Sequence, residues 1–126
     1  MLKESKIIIW SIDWGKIDRK NWAEKERAKY ENKNKNDYEL FFRKLEWFQG
    51  KNISELLENE DIERIGKNKC GHKLNFKVRK KIIRILGYLE NSHQIFHALL
   101  FLVKKTNKIT LKDLNTFEER IKKYEN

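Results

Sequence analysis

The sequence predicts an α+β domain: a small antiparallel β-sheet, built from an N-terminal strand plus a three-stranded meander, with helices on its apolar face and a C-terminal helix. Three observations lead there. Residues 72–79 alternate strictly, with Leu74, Phe76 and Val78 on one side and Lys73, Asn75, Lys77 and Arg79 on the other. Two further runs, 82–89 and 95–103, follow at hairpin spacing. Stretches with helical periodicity flank this block before and after. At 126 residues the chain fits a single domain, 1–126, that buries roughly two-thirds of its unfolded surface.

Taken in order, residues 6–12 read as a short first strand ending near Gly15. Residues 17–30 predict a charged helix, with Asp18 as N-cap and a thin stripe of Trp22, Ala23 and Tyr30. Residues 31–36 read as a polar loop. Asp37 then caps the strongest helix, in which Tyr38, Phe41, Phe42, Leu45 and Phe48 follow i, i+3, i+4, i+7 spacing and Gly50 supplies a stop. Residues 53–65 predict a weaker helical segment with Leu56, Leu57 and Ile62 inward. After the strands, Thr110 and Asp113 have the spacing of a capping box. It opens a last helix carrying Leu114, Phe117, Ile121 and Tyr124 on one stripe.

Within the meander, Lys80-Lys81 reads as a tight turn and residues 90–93 as a second. Placing Arg79 opposite Ile82 sets Lys77 against Arg84, Asn75 against Leu86 and Lys73 against Tyr88. Placing Glu90 opposite His93 sets Leu86 against His97. Directly opposed residues share a face, so Lys73, Lys77, Arg79, Arg84, Tyr88 and His97 are expected on one side. The other side is expected to carry Leu74, Phe76, Val78, Ile83, Ile85, Phe96, Ala98 and Leu100, a dry surface for the helices.

Charge follows the same division. Residues 67–126 hold 15 Lys/Arg and 5 Asp/Glu, which accounts for the whole net charge of +10, and between Lys67 and Lys112 the only acid is Glu90. Such a single-sign block reads as a surface for a polyanion, the alternative being a solvated face that aids solubility. Mean hydropathy of −0.86 would suit a disordered chain, but 12% aromatics, four of them Trp, argue for a packed fold. Cys70 is the only cysteine, so no intramolecular disulfide forms. The apolar run at residues 6–10 is too short for a signal peptide or a membrane span, and a cytoplasmic location is expected.

Residues 72–108 include His-Lys-Leu-Asn-Phe-Lys-Val-Arg, then Ile-Ile-Arg-Ile-Leu-Gly-Tyr, then Phe-Leu-Val-Lys-Lys-Thr-Asn-Lys. This segment resembles the RelE/ParE toxin superfamily, in particular its HigB-like and phage-type members. Those proteins carry a basic strand, a strand with an arginine in an apolar setting, and a hydrophobic strand ending in Lys-Lys-Thr-x-Lys, followed by a helix. Residues 104–108 fit that signature. Before Gly66 the likeness is one of element order alone, and Ile109-Thr110 stands where the family often has proline.

The resemblance implies the toxin half of a type II toxin–antitoxin system: an mRNA endoribonuclease that blocks translation, acting on translating ribosomes. It needs no metal and no cofactor, and a cognate antitoxin protein neutralises it. Its partners would be that antitoxin, mRNA and the ribosome, with no membrane. In such enzymes the ribose 2′-OH attacks the adjacent phosphate while cations stabilise the phosphorane and nearby groups move protons. Carried over by position, Arg84 matches the active-site arginine, Lys73 and Lys77 the basic-strand positions, and Tyr124 a tyrosine that some members use near the C-terminus. Lys73, Lys77, Arg79, Lys81, Tyr88, Lys104 and Lys105 are the expected RNA contacts.

Other residues complete the candidate list. Arg84, flanked by Ile82, Ile83, Ile85 and Leu86, requires an anion or a carboxylate. His97 reads either as a satisfied core histidine or, on the cationic face, as a general acid–base; His72 is its substitute and His93 lies in a turn. Cys70 and His72 alone lack the spacing of a metal site. Tyr88 and Trp10 are candidates for base stacking, while Trp10, Trp14, Trp22 and Trp47 also read as core or antitoxin-contact residues. Two alternatives stand beside the ribonuclease: a ParE-like DNA gyrase inhibitor of the same fold, and a non-catalytic nucleic-acid-binding module.

Overall fold

The five-stranded sheet grows outward from β-branched and aromatic runs at the centre of the chain. The structure, a computed structural model, describes residues 7–15, 21–106 and 108–125. Along the chain come β1 (Ser11–Asp13), α1 (Trp22–Lys33), α2 (Lys35–Gln49), α3 (Ile53–Glu58), β2 (Ile62–Arg64), β3 (Gly71–Val78), β4 (Lys81–Glu90), β5 (Ile95–Lys104) and α4 (Leu111–Glu125). The strand order is β1-β5-β4-β3-β2, with β1 parallel to β5 and the other pairs antiparallel. The fold is α+β with an open mixed sheet. The expected meander is present, and β2 and the parallel β1 extend it on either side.

One face of the sheet carries Leu74, Phe76, Val78, Ile83, Ile85, Phe96 and Ala98, as the alternation predicts. It packs on Ala23 and Tyr30 of α1 and on Phe41, Leu45 and Phe48 of α2. Each Val, Leu, Ile or Phe among them contributes about 1.5–3 kcal/mol by leaving water. Trp10 is 2% exposed, and its indole Nε1 donates to the Phe48 carbonyl at 3.1 Å, tying the chain before β1 to the end of α2. Gly50 ends α2 at a φ of −82° rather than in the left-handed cap its position suggests. A Cβ there would lie 3.2 Å from the Ile7 carbonyl, so this glycine permits a close approach.

The second face differs from the open cationic floor that the alternation predicts. α4 lies across part of it and buries Phe117 and Ile121 against Leu86, Leu99 and Leu100. Leu100, expected on the first face, belongs here. The cause is a bulge: Gly87 pairs with Ala98 but Leu86 with Leu100, leaving Leu99 as an extra residue on β5. Gly87 makes the bulge possible, because a Cβ there would sit 2.2 Å from the His97 carbonyl oxygen.

Registers shift as well. Asn75 faces Arg84 and Lys77 faces Ile82, two residues from the expected pairing. A slip of two preserves the face of every side chain, so Lys73, Lys77 and Arg84 do share a side. Arg79 leaves the strand: Val78 pairs with Lys81, and Arg79 and Lys80 form the turn instead of Lys80-Lys81. At the next turn Asn91–His93 form a 3-10 helix, so Glu90 faces Ile95 and Tyr88, not Leu86, faces His97.

Other boundaries move too. The first strand is confined to Ser11–Asp13; Lys6 and the N-cap candidate Asp18 lie outside the described residues. α1 and α2 are separated by Asn34 alone rather than by a six-residue loop. Asp37 sits inside the first turn of α2 and pairs with Arg79 at 3.0 Å. Phe42 faces outward, 46% exposed. The helix expected over 53–65 stops at Glu58, and Ile62 enters β2 with its side chain buried. The Thr110 cap forms as predicted, its Oγ1 accepting from the Asp113 amide at 3.1 Å.

Candidate nucleic-acid interface

The β3–β4 hairpin and the end of β5 bring the cations of the basic block together at one end of the sheet. Lys77 from β3, Arg79 and Lys80 from the turn, Lys81 from β4 and Lys105 just beyond β5 surround an open concavity of about 570 Å³, with Ile82 and Thr106 also lining it. Arg79 adopts a φ of 57°, a conformation that favours glycine or asparagine. Placing arginine there costs about 1 kcal/mol. Among the described residues, no carboxylate lies within 4.0 Å of the ammonium of Lys77, Lys80, Lys81 or Lys105. Lys104 by contrast is paired with Asp113 at 2.8 Å, Arg79 with Asp37, and Lys73 with Glu63 at 3.9 Å. Among the described residues, then, four cations converge without local compensation, an arrangement that suits phosphates.

Arg84 lies behind this concavity and is 3% exposed. Its Nε donates to Asn75 Oδ1 at 3.1 Å and its Nη1 to the Thr106 carbonyl at 3.3 Å. Asn75 in turn donates to Glu63 Oε1 at 3.1 Å. Burial lowers the pKa of the guanidinium while the charge of Glu63 raises it. Arg84 therefore pins the chain that presents Lys105 and Thr106. Glu63 and Asn75, absent from the sequence-predicted site, complete the network. No periodicity marks Glu63, because β2 is only three residues long; the alternation of β3 does place Asn75 on the face of Lys73 and Lys77.

The expected proton carriers stand elsewhere. His97 Nδ1 lies 3.2 Å from Asp13 Oδ2 and its Nε2 lies 2.7 Å from Glu90 Oε2, so the ring bridges β1 and β4. The His97 and Tyr124 ring centres are 5.1 Å apart and those of Tyr88 and Tyr124 5.4 Å. Tyr88 has a raised pKa, chiefly through a hydrogen bond with the Cys70 thiol. His93 contacts Glu90 and is exposed. His72 is 8% exposed, with Nδ1 at 3.0 Å from the Cys70 carbonyl, and burial lowers its pKa. From His97 to Lys104 is seven residues of β5, about 20 Å of extended chain. One phosphate cannot touch both ends. The structure thus joins Lys77, Arg79, Lys81 and Lys105, adds Lys80, backs them with Arg84, and separates them from Tyr88, His97 and Tyr124.

Among the described residues no three His, Cys, Asp or Glu side chains converge as a metal ion would need, and no helix is long and apolar enough to cross a membrane. In comparison with known proteins, the chain matches no family model, no curated protein and no solved structure.

Proposed function

We propose that this chain binds RNA through the β3–β4 tip and acts as a metal-independent endoribonuclease of the toxin type, held in check by an acidic antitoxin. The observation that carries the binding reading is the concavity ringed by Lys77, Lys80, Lys81 and Lys105 with no carboxylate in reach among the described residues. The resemblance of residues 72–108 to RelE/ParE toxins supports the narrower, catalytic reading. In that chemistry the 2′-OH attacks phosphorus and gives its proton to water, while the bond to the departing 5′-oxygen breaks. Tip ammonium groups stabilise the phosphorane and can donate the proton the 5′-oxygen needs. Arg84 acts through the Thr106 backbone, positioning Lys105.

The separation of His97 and Tyr124 from the tip favours a second reading, a binder that does not cleave. One experiment distinguishes them. Purified protein is incubated in EDTA with an end-labelled single-stranded RNA, alone and with ribosomes re-supplied with magnesium, and the ends of any fragments are mapped. Fragments with 2′,3′-cyclic phosphate or 3′-phosphate ends and 5′-hydroxyls support cleavage by 2′-OH attack. Salt-sensitive binding without fragments leaves the second reading. Absence of RNA binding overturns both.

A further inference from the structure

A second groove adjoins the cationic concavity and carries an exposed tryptophan. β2 covers only His72–Leu74 of β3, so among the described residues Asn75, Phe76 and Lys77 have no strand on that edge. α2 lies beside it instead, with Lys44 Nζ donating to the Lys77 carbonyl. Between α2 and this edge runs a groove of about 430 Å³ lined by Arg43, Lys44, Trp47, Phe48 and Lys77 among others. Its walls are mostly apolar and its rim is cationic.

Trp47 is the unusual member. Trp10 is buried and Trp14 and Trp22 are half-buried, but Trp47 is 59% exposed, a large cost in hydrated apolar surface. Its ring is held: the Lys51 ammonium stands 3.7 Å from the ring centre, and Phe48 packs against it at 5.8 Å. Lys51 does not line the groove, whereas Trp47 does, and the indole is 59% exposed with these two contacts made. Lys77 lines both the groove and the cationic concavity, so the two meet at the uncovered β3 edge, the groove on the α2 side of the sheet and the concavity on the other.

We infer that Trp47 is a base-stacking platform, and that a single RNA strand runs from the Lys81–Lys105 concavity over Lys77 into this groove, where one unpaired base lies on the indole. The inference rests on the RNA-binding reading and deepens it, because it specifies single-stranded RNA: a base in a duplex cannot present its face to a side chain. Phosphates flanking the stacked base meet Lys44 and Lys77.

The test uses the full chain, a short oligouridylate, the same ribose–phosphate chain without bases, and inorganic polyphosphate. Oligouridylate is expected to quench the intrinsic tryptophan fluorescence, and Trp47→Phe to abolish most of that quench while keeping affinity within about threefold. Trp47→Ala should weaken oligouridylate binding about tenfold, the usual effect of losing one stacked base. It should leave the abasic chain and polyphosphate unaffected. Because Trp47 is exposed, circular dichroism should show both variants folded. If Trp47→Ala binds oligouridylate like the parent while Lys81→Ala and Lys105→Ala bind it weakly, the stacking site falls and the phosphate site stands. If no polyanion binds, the underlying reading fails. If an acidic, leucine-containing peptide binds in a Trp47-dependent way and oligouridylate does not, the groove belongs to a protein strand and the inference is overturned.

Discussion

Removing Lys81 and Lys105 together should halve the salt dependence of RNA binding. Among the described residues four tip cations lack a local carboxylate, whereas Lys73, Arg79 and Lys104 are already paired and must give up a carboxylate to meet a phosphate. Each phosphate neutralised on a single strand contributes about −0.7 to the slope of log affinity against log salt, so four contribute about −2.8. Between roughly 50 and 200 mM salt the parent protein should therefore lose about 50-fold in affinity. With Lys81→Ala and Lys105→Ala the slope should fall to about −1.4 and the loss to about sevenfold. Fluorescence anisotropy of a labelled single-stranded RNA across a salt series measures both. Lys81 is half-buried and Lys105 exposed, so the fold should persist. A double variant with the parental slope would mean that these lysines do not hold phosphate.

Arg84→Ala is expected to act on stability before anything else. It leaves Asn75 Oδ1 and the Thr106 carbonyl without their donor beneath a covered face and should cost about 2–4 kcal/mol in urea unfolding; Lys81→Ala should stay within about 0.5 kcal/mol of the parent. An Arg84→Ala protein as stable as the parent would remove the positioning role. Acid should loosen the β1 end of the sheet. The hydrogen bond from His97 holds the Glu90 carboxyl below its ordinary value of 4.5. That stabilisation is complete above 4.5 and is lost as the pH falls through the lowered value. Glu90→Gln should flatten the fall in melting temperature below about pH 4.5, and identical acid profiles for parent and variant would discount the contact.

The meander was legible because period-2 alternation survives a misjudged turn. A register slip of two left Lys73, Lys77 and Arg84 on one side. The stripe of Tyr38, Phe41, Leu45 and Phe48 and that of Phe117 and Ile121 likewise placed two helices. The bulge was not legible, since nothing local distinguishes Leu99 from its neighbours. Yet the unbroken apolar run from Ala98 to Val103 carried a usable signal, because a strand with no polar face is covered on both sides. Reading it so would have called for an element over the second face, where α4 lies; only the bulge brings Leu100 beneath it. The same cover explains why the expected site divides in two. α4 covers Leu86, Leu99 and Leu100 on this face, with the tip lysines beyond one end and His97 and Tyr88, beside Tyr124 of α4, at the other. Arg84 was expected to need an anion or a carboxylate; among the described residues it donates to Asn75 Oδ1 and to the Thr106 carbonyl, which pairing rules alone do not reveal.

Backbone amide shifts during titration with short single-stranded RNA test the central claim most directly, because they locate the contact without a mutation. The account predicts the largest changes at Arg79, Lys80, Lys81, Lys105 and Thr106, fading with added salt. Changes centred instead on His97, Tyr88 and Tyr124, with the hairpin tip unmoved, would contradict it.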